Sequence, residues 1–117
     1  MSDDGPIRAV RWSGSDKRVA VVEACGDIDL HRSGEFQRGL LEPLAESPRA
    51  MVVDLTAVPY MDSAGVASLV KLLARVRKQG VALRLSGLST RVRSVFEITR
   101  LNTVFEVYAT VQQAVEA

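Results

Sequence analysis

Apolar and polar positions in this chain switch between two periods, and the switches mark out its elements. Ile7 to Trp12 alternates weakly, and Val19 to Cys25 is dense in small and β-branched residues. Between them Ser13-Gly14-Ser15-Asp16 is a turn cluster, so the opening reads as a hairpin. Gly26-Asp27-Ile28-Asp29 breaks the second strand. Phe36, Leu40, Leu41 and Leu44 then recur at helical spacing, with Ser33 placed to cap the helix. Pro43 predicts a kink or an early end there, because an interior proline removes a hydrogen bond and crowds the preceding turn. After the Ser47-Pro48 connector, Arg49 to Leu55 is almost unbroken in its apolar character. That suits a central strand covered on both faces.

Ser63 to Gln79 returns to the helical period. Val66, Leu69, Val70, Leu73 and Val76 fall on one face, and Ala64, Ala67, Ser68, Lys71, Arg75 and Lys78 on the other. Gly80 stops this helix. Val81 to Leu85 alternates like a strand, and Ser89 can cap a third helix with Val92, Val95, Phe96 and Thr99 inward. Val104 to Tyr108 is a short strand, and Thr110-Val111-Gln112-Gln113 has capping-box spacing for a terminal helix. That helix could pack on the sheet or project from it. The order ββαβαβαβα predicts a single α/β domain: a four- or five-stranded mixed β-sheet with helices packed mainly on one face. Residues 1–5 are expected to be a loose tail, and 6–117 the domain.

Composition narrows the class. A chain of 117 residues with 47% hydrophobic content supports one core without disulfides or metal. Fifteen basic against fourteen acidic side chains give +1, which supplies no general drive toward nucleic acid or anionic membrane. No apolar run approaches the roughly 20 residues that span a bilayer, and the N-terminus is acidic and short, unlike a secretory signal. Cys25 is the sole cysteine, so no internal disulfide forms. A cytoplasmic protein is expected.

The chemical inventory is thin. His31 is the one histidine and falls in a loop; Cys25 ends an apolar strand and is expected to be a buried, inert thiol. One histidine and one cysteine argue against zinc. Neither G-x-x-x-x-G-K-[ST] nor G-x-G-x-x-G nor G-x-S-x-G occurs. Trp12 reads as core or edge packing, and Asp54 as a strand-end residue bonded to nearby N–H groups. Arg91, Arg93 and Arg100 read as a solvated face, with an acidic partner as the alternative. No cofactor is called for, and no enzyme activity is expected. Ser63 stands apart. Asp62-Ser63 reads as a helix cap, yet a helix N-terminus also accommodates a phosphate. A serine hydroxyl needs a base to act as nucleophile, and this chain offers no ATP site; a kinase in another protein would supply both.

The run Asp54-Leu55 … Met61-Asp62-Ser63-Ala64-Gly65-Val66 resembles the signature of anti-sigma factor antagonists, the STAS domains. Gly26-Asp27-Ile28-Asp29 resembles that family's turn after the second strand, and Leu83 to Ser89 with Val92 to Phe96 resembles its later strand and helix. The resemblance implies a bacterial, cytoplasmic partner switch in transcription regulation. Unphosphorylated antagonist would bind an anti-sigma factor that is also a serine kinase, freeing the sigma factor. Phosphorylation of Ser63 would release it, and a phosphatase would reset it. The implied partner-binding residues are Asp27, Asp62, Ser63, Ala64, Gly65, Ser68, Lys71 and Arg75. Ala64 stands where many members carry a second serine, which leaves Ser63 the only hydroxyl in the motif. The alternative is a STAS subunit of a stress-signalling scaffold or lipid-transport complex without a phosphorylation cycle.

Overall fold

A computed structural model describes residues 5–117. The other residues of the expected tail, 1–4, lie outside the described residues. Five strands form one sheet in the spatial order β1-β2-β3-β4-β5: β1 (Ile7–Ser13), β2 (Val19–Cys25), β3 (Ala50–Ala57), β4 (Ala82–Ser86) and β5 (Glu106–Tyr108). β1 pairs with β2 antiparallel, and every other pairing is parallel. Helices α1 (Ser33–Leu44), α2 (Ser63–Gln79), α3 (Thr90–Ile98) and α4 (Val111–Glu116) complete the ββαβαβαβα order, with a 3-10 turn at Leu101–Thr103 before β5.

β3 sits at the centre because both of its faces are apolar. Met51, Val53 and Leu55 join the main core with Ala20 and Val22 of β2 and Leu83 and Leu85 of β4. Phe36, Leu40 and Leu44 of α1, Leu69, Leu72 and Val76 of α2, and Val92 and Phe96 of α3 close that side. On the opposite face Ala50 and Val52 join Val19, Val21 and Ala114 in a smaller cluster. Ala114 places α4 there, so the terminal helix packs on the sheet. The main helices share one face and α4 takes the other.

Several local expectations are corrected by the packing. Ile7 and Trp12 both pack against the main core although they are an odd number of positions apart, because a bulge at Arg8 shifts the alternation of β1. α1 begins without a side-chain cap: Arg32 is its N-cap residue, and the Ser33 hydroxyl donates back to Leu30 O at 3.2 Å. Pro43 lies in the last turn, and the helix ends at Leu44, the early end that proline predicts. On α2 the buried stripe is rotated. Gly65, Ser68 and Leu72 are buried, while Val70 is 41% exposed. Thr99 is exposed and its hydroxyl donates to Val95 O. Cys25 is half-buried, with Sγ 3.4 Å from Gly5 O. Gly80 ends α2 in the left-handed region at φ 69°, where Val81 N–H donates to Val76 O at 3.0 Å.

Candidate functional site

The carboxyl ends of the parallel strands gather the residues that the sequence singled out. The β3–α2 loop is threaded against the β2–α1 loop by backbone bonds. Ile28 N–H donates to Tyr60 O, and Asp62 N–H to Ile28 O, each at 3.0 Å. Gly65 is buried under this crossing. A Cβ there would come within 2.8 Å of Ile28 O and 2.9 Å of Ile28 Cγ2, so only glycine lets the two loops approach so closely.

Asp62 organises the junction. Its backbone is extended, and Oδ1 accepts from Ala64 N–H at 2.9 Å and Gly65 N–H at 3.1 Å, which caps α2. Its other oxygen, Oδ2, accepts from Leu30 N–H at 3.1 Å across the loop crossing. One carboxylate therefore fixes both the helix start and the neighbouring loop. Ser63 is the first residue of α2. With Asp62 supplying the cap, the Ser63 side chain is exposed and has no hydrogen-bond partner among the described residues.

The remaining expected site residues divide by position. Asp27 is exposed in the β2–α1 loop, and Ala64 is half-buried beside Ser63. Lys71 and Arg75 are exposed on the outer face of α2. At 1.5 Å per residue they lie roughly 12 and 18 Å along the axis from Ser63. Ser68, expected on that outer face, is instead 3% exposed. Its one hydroxyl proton is shared between Ala64 O at 3.1 Å and Ser33 O at 3.3 Å, which ties α2 to the start of α1. Ser68 and Gly65 therefore lie beneath the exposed residues of α2. Asp54 accepts from Thr56 N–H at 3.0 Å and Thr56 Oγ1 at 2.6 Å, the strand-end role the sequence suggested.

Two features escaped the sequence reading. Arg91 lies over the Tyr60 ring, 4.8 Å from its centre, and the Ser89 hydroxyl donates to Pro59 O, so α3 braces the loop that carries Asp62. Leu30 is exposed at the tip of the β2–α1 loop. Its signal was present as one apolar residue inside Asp29-Leu30-His31-Arg32, but it belongs to no period. Among the described residues no cluster of His, Cys, Asp and Glu could hold a metal ion, and no helix is long and apolar enough to cross a membrane.

Residues 15–114 match the STAS domain family. The chain is 38% identical over 88 residues to an anti-sigma-B factor antagonist of Bacillus subtilis strain 168, covering 75% of this chain and 80% of the relative. It is 28% identical over 99 residues to the anti-sigma-F factor antagonist RsfB of Mycobacterium tuberculosis, covering 82% and 78%. In structure it resembles an anti-sigma factor antagonist from Mycobacterium paratuberculosis, with a TM-score of 0.80, 25% identity and full coverage of both chains (100% each). The fold also matches the anti-sigma factor antagonist SpoIIAA in its unphosphorylated form, with a TM-score of 0.74 at 18% identity over 92% of this chain and 94% of that one.

Proposed function

The chain belongs to the STAS-domain family, and from that premise we propose that it is an anti-sigma factor antagonist switched by phosphorylation of Ser63. Unphosphorylated, it binds an anti-sigma factor that is also a serine kinase, and the sigma factor is freed. The kinase supplies ATP and a base. The base takes the Ser63 proton, the Ser63 Oγ–phosphorus bond forms, the bond to the γ-phosphorus of ATP breaks, and ADP leaves. The phosphorylated protein then lets go, and a phosphatase removes the phosphate. The chain itself acts as a non-enzymatic cytoplasmic regulator, without a cofactor and without touching nucleic acid or membrane.

The observation that carries this reading is the Ser63 hydroxyl: exposed, without a hydrogen-bond partner among the described residues, on a helix already capped by its neighbour. Phosphate brings about −1.5 to −2 charges. The positive end of α2 tolerates them, so the fold survives. A partner packed over Ser63 and Asp62 would instead have to desolvate adjacent negative groups, and the fit is lost. Asp27, Asp62, Ser63, Ala64, Lys71 and Arg75 form the proposed contact surface, with Gly65 and Ser68 holding it from below.

Calorimetry against the purified cognate anti-sigma factor kinase tests this. Ser63→Ala is expected to bind constitutively and to keep its stability within about 0.5 kcal/mol, because the cap belongs to Asp62. Ser63→Asp places one charge where phosphate places nearly two, and is expected to bind more weakly while staying folded by circular dichroism. Equal affinity of folded Ser63→Asp and wild type would refute the reading.

A further inference from the structure

The β2–α1 loop displays an apolar side chain that the core does not use. Leu30 is 72% exposed. A lone exposed leucine is ordinary on a loosely held loop. This loop is held at successive points. Leu30 N–H donates to Asp62 Oδ2 at 3.1 Å, and Leu30 O accepts from the Ser33 hydroxyl at 3.2 Å. Asp29 Oδ1 accepts from His31 N–H at 3.0 Å and Arg32 N–H at 3.1 Å. The Arg32 guanidinium donates to Asp27 O at 3.0 Å and Cys25 O at 3.3 Å. These bonds fix the backbone on both sides of Leu30, and its side chain is left exposed on the loop gripped by the carboxylate of Asp62, the residue before Ser63. An apolar group already held in place loses little further freedom on docking, which is the property of an interface anchor.

We infer that Leu30 is the apolar anchor for the anti-sigma factor kinase and inserts into a nonpolar pocket beside the cleft that receives Ser63. The inference rests on the proposed function and adds to it the contact that holds Ser63 in register. Asp62 is a positioning residue in this arrangement, since the carboxylate that caps α2 also grips the Leu30 amide. The surroundings favour a partner over a second copy. Asp27, Asp29 and Asp62 outnumber the one guanidinium of the loop, Arg32, and a symmetric dimer through this patch would set that net negative charge against itself. The complementary surface is an apolar socket with a basic rim.

The test compares wild type, Leu30→Ala, Leu30→Met and Ile98→Ala against the purified cognate kinase. Ile98 is 82% exposed at the far end of α3 and serves as the control. Leu30→Ala is expected to weaken binding about tenfold or more, as truncation of an anchor does. Leu30→Met should stay within about threefold of wild type, and Ile98→Ala should be unchanged. In a phosphorylation assay Leu30→Ala should raise KM for Ser63 by a similar factor and leave kcat alone. Folded Leu30→Ala that binds like wild type, or no more weakly than Ile98→Ala, overturns the anchor while leaving the Ser63 switch standing. Failure of wild type to bind the kinase overturns both.

Discussion

The two ends of the sheet use charge differently. At the amino end of the parallel strands, one ion pair between side chains sits among bonds from side chains to backbone. Arg49 pairs with Asp16 at 2.7 Å, Asp16 also accepts from Arg18 N–H, and the Arg18 guanidinium reaches Ser47 O. The hydrogen bond from Arg49 holds the Asp16 carboxyl below its ordinary range. Recesses of about 500 and 480 Å³ lie at this end, one lined by Arg49, Gln112 and Glu116 and the other by Leu44, Pro48 and Val81. At the carboxyl end, Asp29 and Asp62 each bind two or more backbone N–H groups, and Asp62 does so across two loops. That choice stiffens two loops and leaves the Ser63 hydroxyl and the Leu30 side chain facing outward. Sites in parallel α/β sheets gather at the carboxyl ends of the strands. Here that end offers projecting groups, which suit a protein surface.

The contrast can be broken first at Gly65. Gly65→Ala pushes a methyl group into Ile28 O and the Met61 side chain. It is expected to cost about 2 kcal/mol or more in urea unfolding, because the two loops must separate. Asp62→Ala comes next. It removes the α2 cap and is expected to cost about 1–2 kcal/mol. It also frees the Leu30 amide, so hydrogen exchange there should accelerate while the β3 amides stay protected. The smallest effect belongs to the other end. Arg49→Ala removes an exposed pair that contributes little. Asp16 is held below its ordinary value of 3.8, so its contribution is present above that pH and is lost as pH falls through the lowered value. The stability difference between wild type and Arg49→Ala should therefore be steady near neutrality and shrink below pH 3.8.

Legibility in the sequence followed the same division. β3 was plain because an apolar run bounded by turn residues has few other uses, and the parallel pairing after the hairpin followed from alternation of strands and helices. The start of α2 was plain because Asp62-Ser63 and Gly65 carry strong local chemistry. The errors lie where tertiary partners override residue type. Ser68 looked solvent-facing, yet backbone carbonyls of α1 and α2 satisfy its hydroxyl and permit burial. The contact between these helices then turns α2 so that Leu72 enters the core and Val70 leaves it. Ser33 looked like a cap, but its hydroxyl is drawn back to Leu30 O. Leu30 was passed over because a loop position has no periodicity to betray it, and only the bonds from Asp62 and Ser33 show that it is deliberately held.

The central claim is that charge on Ser63, and not a change of fold, decides binding. The direct measurement is titration calorimetry of the cognate anti-sigma factor kinase with unphosphorylated protein and with protein phosphorylated stoichiometrically at Ser63, the site being verified by mass spectrometry. Both forms should give the same circular dichroism spectrum, and phosphorylation should weaken binding on the order of a hundredfold, since buried uncompensated charge costs about 3 kcal/mol or more. Equal affinities for the two folded forms, or phosphate found on Ser33 and not on Ser63, would contradict the account.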